Sequence, residues 1–213
     1  MDGCCDSSGY GALFGERFSR HLARRYRRRG LDRTASRMLE FLTTQGVDGA
    51  SVLEIGGGVG SLQLELLRRG ATRATNLELV DSYDADARAL AADAGVTGRI
   101  TRRQLDIAAT PDAVEQHDIV VLHRVVCCYP DYQRLLGTAA EHAGRLMVFS
   151  HPPGGAINRA AVAAENLFFR IRRSPFRTFA HDPDAMTATV GDHGMREAYR
   201  YRGLVWHVVG FTA

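Results

Sequence analysis

The most informative absence in this 213-residue sequence is lysine, so arginine supplies all 27 of its basic side chains. A phosphate-binding loop of the G-x-x-x-x-G-K-[ST] type is excluded, because that loop requires a lysine. With 24 acidic residues the net charge is only +3, which does not by itself indicate a nucleic-acid partner. The bias toward arginine, alanine and glycine is typical of a GC-rich bacterial genome.

Long apolar stretches are also missing. The longest apolar runs, such as 119–122, have the length of a strand and fall far short of the roughly 20 residues that cross a membrane. The first residues are small and polar and lack the apolar core of a signal peptide. Since 45% of the residues are hydrophobic, one domain can bury a full core. We therefore expect a cytoplasmic protein that does not bind membranes.

Cysteine occurs only as two adjacent pairs, Cys4-Cys5 and Cys127-Cys128. Neighbouring cysteines do not suit the geometry of a disulfide, and no C-x-x-C spacing is present. We expect reduced thiols, with Cys127 and Cys128 partly buried, and no metal site. The alternative is a four-thiolate metal site that uses both pairs.

The spacing of apolar residues predicts an alternation of strands and helices. Residues 1–14 are expected to be irregular, and residues 15–45 to form two helices separated at Gly30. Strands are predicted at 51–55, 73–79, 100–105, 119–122 and 146–150, with helices at 61–69, 83–94 and 131–143. This order indicates an α/β fold with a Rossmann-like, doubly wound, mostly parallel sheet.

The alternation stops after the fifth strand. Helices are predicted at 156–173 and near 183–193, followed by an antiparallel pair of strands at 196–202 and 204–211. We interpret the chain as a single domain made of four parts. These are an N-terminal helical lid (1–48), a cofactor-binding core (49–151), a helical cap inserted after the fifth strand (152–195) and C-terminal strands (196–213).

A glycine-rich segment follows the first predicted strand. It has the spacing E-x-G-x-G-x-G from Glu54 to Gly60. The dinucleotide fingerprint G-x-G-x-x-G fails, because its third glycine would fall on Ser61 or on Gln63. The remaining alternatives are a loop that approaches a cationic ligand and a tight turn without a ligand.

The spacing resembles the first motif of class I S-adenosylmethionine (SAM)-dependent methyltransferases, and the resemblance extends over about residues 50–150. Two acids at predicted strand ends agree with it, since Glu78 can accept hydrogen bonds from ribose hydroxyls. The resemblance implies that Asp106 accepts the adenine amino group and that Ile107 packs on the ring. The cofactor-binding residues expected for SAM are Glu54, Gly56, Gly57, Gly58, Gly60, Glu78, Leu79, Asp106, Ile107 and His123.

The acceptor side is expected where the fourth and fifth strands end, at 123–130 and 150–153. The fourth strand lacks the Asn-Pro-Pro-aromatic motif of adenine and glutamine N-methyltransferases. Tyr129-Pro130 and the long helix after the fifth strand are loosely similar to the magnesium-protoporphyrin O-methyltransferases. We predict that the acceptor pocket lies between these two strand ends and the inserted cap.

Histidine titrates near neutral pH, so three histidines are candidate general bases. They are His151, His123 and His181, while the candidate substrate-binding residues are Tyr129, Asn166 and Arg177. For the histidines and for Arg177, a purely structural or solvent-facing role is the competing interpretation.

The expected function is methyl transfer from SAM to a small molecule, on an oxygen of a bacterial metabolite. N-, S- or C-methylation and a non-catalytic SAM-binding protein remain alternatives. The basic run 24–29 supports a nucleic-acid-binding module as a further alternative, although we expect no specific nucleic acid. The chain is expected to be a monomer or a homodimer.

Overall fold

The seven predicted strands form one sheet in the computed structural model, which describes residues 7–213 except the side chains of Ser7, Ser8 and Ala12. The sheet order is β3-β2-β1-β4-β5-β7-β6. Strands β1 to β5 are parallel, and β7 runs antiparallel to both β5 and β6. The strands are β1 (Ser51–Ile55), β2 (Arg73–Glu78), β3 (Ile100–Gln104), β4 (His117–Leu122), β5 (Ala143–His151), β6 (Arg196–Arg202) and β7 (His207–Thr212).

Helices cover both faces of the sheet. In the described part of the chain they are α1 (Ser7–Leu13), α2 (Glu16–Arg29), α3 (Arg33–Gln45), α4 (Ser61–Arg68), α5 (Asp84–Asp93), α6 (Tyr132–Glu141), α7 (Ala156–Ile171) and α8 (Pro183–Asp192). Val52 and Val121 point into the core shared with α3, α4 and α5, whereas Leu53 and Val120 point into the core shared with α6 and α8. Because successive strand residues face opposite sides, the buried strands are apolar throughout. The predicted doubly wound sheet is confirmed.

The N-terminal helices are fixed to the first half of the sheet by polar contacts. Ser19 donates to Asp86 at 2.6 Å, Tyr26 donates to Glu65 at 2.8 Å, and the Arg27 guanidinium lies 2.8 Å from the Asp93 carboxylate. Helix α2 therefore rests on α4 and α5. Part of the basic run is used in these contacts.

The predicted element boundaries hold to within a few residues, with two corrections. Residues 7–13 form helix α1 rather than an irregular segment, because Gly9 lies against Pro175 and Phe176 and the Tyr10 ring packs on Phe176. The last strand begins at His207, not at residue 204, because Gly203 and Trp206 close the hairpin turn. Cys4 and Cys5 lie outside the described residues.

Helix α7 follows the predicted range but is poorly covered. Phe169 is its only buried residue, whereas Ile157 is 89% exposed and Ile171 is 73% exposed. Its apolar stripe is therefore mostly solvent-facing rather than part of the core. None of the helices in residues 7–213 combines the length and the apolar character needed to cross a membrane.

Candidate cofactor and acceptor site

A large cleft with a volume of about 260 Å³ lies at the carboxyl ends of the parallel strands. This is the edge at which α/β sheets bind ligands. Its floor comes from the strand ends and its roof from helices α1, α2 and α3. The lining residues are Tyr10, Phe14, Phe18, Leu22, Arg25, Tyr26, Gly30, Leu31, Asp32, Ala35, Ile55, Gly56, Gly57, Gly58, Val59, Ser61, Leu77, Glu78, Leu79, Val80, Tyr83, Leu105, Asp106, Ile107, His123, Arg124, Val125, Cys128, Tyr129 and Leu135.

The glycine loop presents bare backbone to the large cleft. Gly56 has a φ of +65°, and a Cβ atom there would lie 2.5 Å from Cγ2 of Val125. A Cβ atom on Gly57 would collide with Asn76 and Glu54 behind the loop. Only glycine satisfies both limits, so the loop can follow a ligand closely. Gly58 also lines the cleft, whereas Gly60 caps the N-terminus of α4 and does not line the cleft.

Glu54 lies beneath this loop rather than in the cleft. Its side chain is buried and accepts a hydrogen bond from the backbone N–H of Gln63 at 3.3 Å. Burial raises the pKa of Glu54 to about 8. The structure thus places Glu54 as a support of the loop and not in contact with the cleft volume.

Glu78 ends β2 and faces the large cleft. Its carboxylate accepts a short hydrogen bond from the backbone N–H of Gly58, across the floor of the cleft. Burial raises the pKa of Glu78 to about 7, although this hydrogen bond favours the charged form. Glu78 therefore lies next to the glycine loop, as the sequence predicted, and Leu79 also lines the cleft.

Asp106 and Ile107 line the same cleft beyond β3. The Tyr129 hydroxyl donates to the Asp106 carboxylate at 3.0 and 3.1 Å, and the Ala108 N–H donates to it at 3.0 Å. Tyr129, predicted to contact the acceptor, is thus joined to an acid predicted to contact the cofactor.

An acidic centre that sequence reasoning missed lies under the roof of the large cleft. Asp32 caps α3 by accepting from Ala35 N–H at 2.9 Å. Its other oxygen lies 2.9 Å from the guanidinium of Arg124 and 3.8 Å from that of Arg25. Burial opposes ionisation, but His123, Ala35 and Arg124 together hold the pKa of Asp32 well below its usual range. The capping position before a helix was its only sequence signal.

His123 is the one candidate base among the residues that line the large cleft. Its Nε2 lies 3.5 Å from Oδ2 of Asp32, and its Nδ1 lies 3.1 Å from Oγ of Ser150, which also accepts from the N–H of Arg124. Burial lowers the pKa of His123, although Asp32 acts in the opposite direction. Burial thus favours the neutral form of the ring, whereas Asp32 favours the protonated form.

The other two candidate histidines line a separate, small cleft. Its lining residues are Cys127, His151, Pro152, Asn158, Phe179, His181 and Met186. His151 is 1% exposed, and burial lowers the pKa of its ring to about 4. His181 Nε2 hydrogen-bonds the backbone carbonyl of Tyr129 at 2.9 Å. The structure therefore separates His151 and His181 from the large cleft.

The polar side chains expected from the inserted cap are used locally. Asn166 donates to the carbonyl of Thr178 at 2.8 Å and accepts from its N–H at 3.0 Å. Arg177 donates to the carbonyls of Ser174 and Phe176. Neither residue lines the large cleft, and no described residue of α7 or α8 does. The roof comes from the N-terminal helices because Phe176, after α7, packs under Tyr10 and Phe14.

The large cleft fits the chemistry of SAM. SAM carries an adenine, a ribose, a sulfonium and an amino-acid end with an ammonium and a carboxylate group. The cleft offers the Glu78 carboxylate, the Asp106 carboxylate beside apolar Ile107, and a cluster in which Asp32 meets two guanidinium groups. No group of three or more potential metal ligands occurs among residues 7–213.

Comparisons with known proteins agree with this geometry. A family model described as a methyltransferase domain matches residues 53–142, which include the glycine loop, Glu78 and Asp106. No curated protein matches the sequence.

Three solved structures share the fold at low identity. The magnesium protoporphyrin IX methyltransferase from Synechocystis PCC 6803 with bound SAH is 19% identical, with a TM-score of 0.70, over 94% of this chain and 98% of that one. An O-methyltransferase family protein from Burkholderia thailandensis is 16% identical, with a TM-score of 0.71, over 97% of this chain and 63% of that one. An O-methyltransferase family 2 protein from Planctomyces limnophilus in complex with apigenin is 16% identical, with a TM-score of 0.66, over 92% and 61%.

The matched segment carries the loop and the acids that face the large cleft, and more than nine-tenths of the chain shares its fold with these neighbours. The chain therefore contains a methyltransferase domain over residues 53–142, and nearly its whole length has the fold of solved methyltransferases that bind SAM or SAH. It is an enzyme of the methyltransferase type, with SAM as its cosubstrate.

Proposed function

We propose that the chain transfers the methyl group of SAM to an oxygen atom of a small-molecule acceptor bound beneath helices α1 and α2. The observation that carries this proposal is the continuity of the large cleft. It runs from Asp106 and Ile107 along the glycine loop to an apolar, aromatic roof formed by Tyr10, Phe14, Phe18 and Leu22. Pockets of this mixed kind are typical of small-molecule sites.

The names of the structural neighbours favour the same class of acceptor. One neighbour is a methyltransferase of magnesium protoporphyrin IX, and another was solved with apigenin. Both are small molecules with aromatic ring systems, and both neighbours share the fold of this chain. An apolar roof of aromatic side chains would suit a ligand of that kind through ring stacking.

We assign the cofactor contacts as follows. Glu78 accepts from the ribose hydroxyls, Asp106 accepts from the adenine amino group, and Ile107 packs on the ring. Asp32 and Arg124, at the opposite end of the cleft near Gly56, hold the ammonium and the carboxylate of the amino-acid end. Charge complementarity supports this last assignment, since one carboxylate and two guanidinium groups face that end.

Bound SAM supplies a methyl group that is already activated by its sulfonium. The chain then has to align the acceptor oxygen and remove its proton. We assign proton removal to Nε2 of His123, with Asp32 stabilising the imidazolium that results. In the neutral ring the proton then lies on Nδ1, which can donate to Oγ of Ser150 at 3.1 Å, so Nε2 is unprotonated and can accept the proton of the acceptor hydroxyl.

A nucleic-acid acceptor is the rival interpretation. The basic run at 24–29 carries it, but Arg27 pairs with Asp93 and Arg25 lines the cleft. The remaining arginines of α2 form an exposed basic face, which would give only weak, salt-sensitive binding to RNA or DNA.

Calorimetry and a turnover screen test the proposal. SAM should bind with micromolar affinity, about −8 kcal/mol, and NAD should not bind. A panel of phenols, hydroxyacids and carboxylates should contain at least one compound that is methylated, as measured by the release of SAH. That acceptor should not compete with SAM or SAH for binding. Acceptor-dependent methylation of RNA or DNA that persists at physiological salt, with no small-molecule turnover, would overturn the proposal.

A further inference from the structure

Two adjacent thiols occupy the segment that separates the two clefts. Cys127 and Cys128 belong to the 3-10 turn Val126–Cys128 after β4, and both are half-buried, free thiols. Cys128 lines the large cleft, whereas Cys127 lines the small cleft. The mechanism proposed above uses neither sulfur.

The distance between the sulfurs suits a bridging atom better than a disulfide. The two Sγ atoms lie 3.6 Å apart. Adjacent Cα atoms are about 3.8 Å apart, shorter than the usual separation across a disulfide. With metal–sulfur bonds of about 2.3 Å, an atom bridging sulfurs at this separation would have an S–X–S angle of roughly 100°. That angle is relaxed for a tetrahedral or pyramidal centre, so such an atom can enter without movement of the backbone.

The chemistry of the pair selects soft ions with few ligands. Thiolates prefer soft centres. Among residues 7–213 no third potential ligand lies beside the two thiols, so the pair does not suit an ion that needs four protein ligands. A trivalent arsenic centre that carries one substituent needs only two thiolates.

The same segment is tied to the roof and to the cofactor side of the large cleft. The Tyr10 hydroxyl of α1 donates to the carbonyl of Cys128 at 2.6 Å. The N–H of Phe179 donates to the carbonyl of Cys127 at 2.8 Å. Tyr129, the next residue, donates to Asp106. An atom bound by the two sulfurs would therefore alter one wall of the large cleft and restrain a segment that joins α1 to Asp106.

We propose that Cys127 and Cys128 form a two-thiol binding site for a soft, thiophilic ion, with trivalent arsenic as the best match, and that occupancy of this site weakens cofactor binding. With phenylarsine oxide the step balances. Two As–S bonds replace the As–O double bond, the oxygen leaves as water with both thiol protons, and arsenic remains trivalent.

The test uses phenylarsine oxide on the full chain carrying Cys4→Ser and Cys5→Ser, so that only the second pair remains. Mass spectrometry should show one phenylarsenic group per chain, removed by ethanedithiol but not by the monothiol glutathione. Adding Cys127→Ser should lower the affinity by about 100-fold or more, because the second bond is then lost. Since Cys127 does not line the large cleft, that variant should keep the melting temperature and SAH affinity of its parent.

If the Cys127→Ser and Cys128→Ser variants both retained the arsenical as tightly as their parent, the two-thiol site would be overturned. The link to the cleft has its own readout, because coupling between two ligands is reciprocal. Saturating SAH should weaken arsenical binding by the same factor by which the arsenical weakens SAH binding. Chelation without mutual effect would overturn that link. Neither readout needs an acceptor, so this test is independent of the proposed methyl-transfer reaction.

Discussion

The large cleft and the small cleft both lie at the carboxyl ends of the strands, yet they surround their histidines very differently. In the large cleft, His123 faces Asp32 and lies among charged side chains beneath the N-terminal helices. In the small cleft, His151 is buried, and its Nε2 has no hydrogen-bond partner among the described residues. The position of a histidine at a strand end therefore does not decide its chemistry. The element packed above it does.

The largest expected effect concerns His123. If it is the base, His123→Asn should lower turnover by about 10²–10⁴-fold and leave SAM affinity nearly unchanged. His151→Asn and His181→Asn serve as matched controls from the small cleft and should keep turnover within a few-fold. Steady-state kinetics with an acceptor from the screen measures all three. Loss of turnover in the His151 variant alone would reverse the contrast between the clefts.

Two buried acids at the large cleft, Glu54 and Glu78, should make the free energy of unfolding depend on pH. The pKa of Glu54 is raised from 4.5 to about 8, and that of Glu78 to about 7. A raised pKa contributes stability that is complete below pH 4.5 and is lost as the pH rises through 7 to 8.

Replacing Glu54 by Gln removes the free-energy cost of burying an ionised carboxylate at high pH. The gain in the free energy of unfolding should be on the order of 3 kcal/mol near pH 9 and should shrink toward pH 5. Urea titrations of wild type and variant over this range measure the difference. Glu40→Gln, on an exposed face of α3, is the control and should show no such trend. A gain that is the same at every pH would contradict the raised pKa.

Glu78 tests the cofactor side of the large cleft. Glu78→Ala should weaken SAM binding by ten-fold or more, because two charge-assisted hydrogen bonds of about 1.5–3 kcal/mol each are lost. Calorimetry measures the affinity, and thermal melting shows that the variant is folded. Unchanged affinity in a folded variant would mean that the ribose lies elsewhere.

The smallest effect is expected at the rim. Arg124→Gln should weaken SAM binding only several-fold, since a partly exposed ion pair contributes about 1 kcal/mol or less. Binding of methylthioadenosine, which lacks the amino-acid end, should not change. Arg177→Gln is the matched control away from the large cleft and should leave both affinities unaltered. If Arg124→Gln lowered the affinity for SAM and for methylthioadenosine equally, the amino-acid end of SAM would not bind at the Asp32 cluster.

Much of the fold could be predicted because it depends on local pattern. Apolar strands separated by helices led to the doubly wound sheet, and the C-terminal antiparallel pair was confirmed. Helix α1 was missed because its glycines disfavour a helix, and its packing on Phe176 is a contact between residues far apart in the chain. The exposure of the apolar stripe of α7 could not be predicted for a related reason, since an amphipathic pattern does not tell what lies opposite the stripe.

The sequence alone predicted the cosubstrate SAM and the glycine loop and acids that line the large cleft, because these groups lie next to each other along the chain or at successive strand ends. The glycine spacing after β1, the acid that ends β2 and the acid after β3 are local features, and parallel pairing brings them to one edge. Only the tertiary structure decided which helices roof the cleft, which histidine lies beneath them and that Asp32 meets Arg124. Those contacts depend on how separate elements pack, since burial and charge pairing act across distances that the order of residues does not encode.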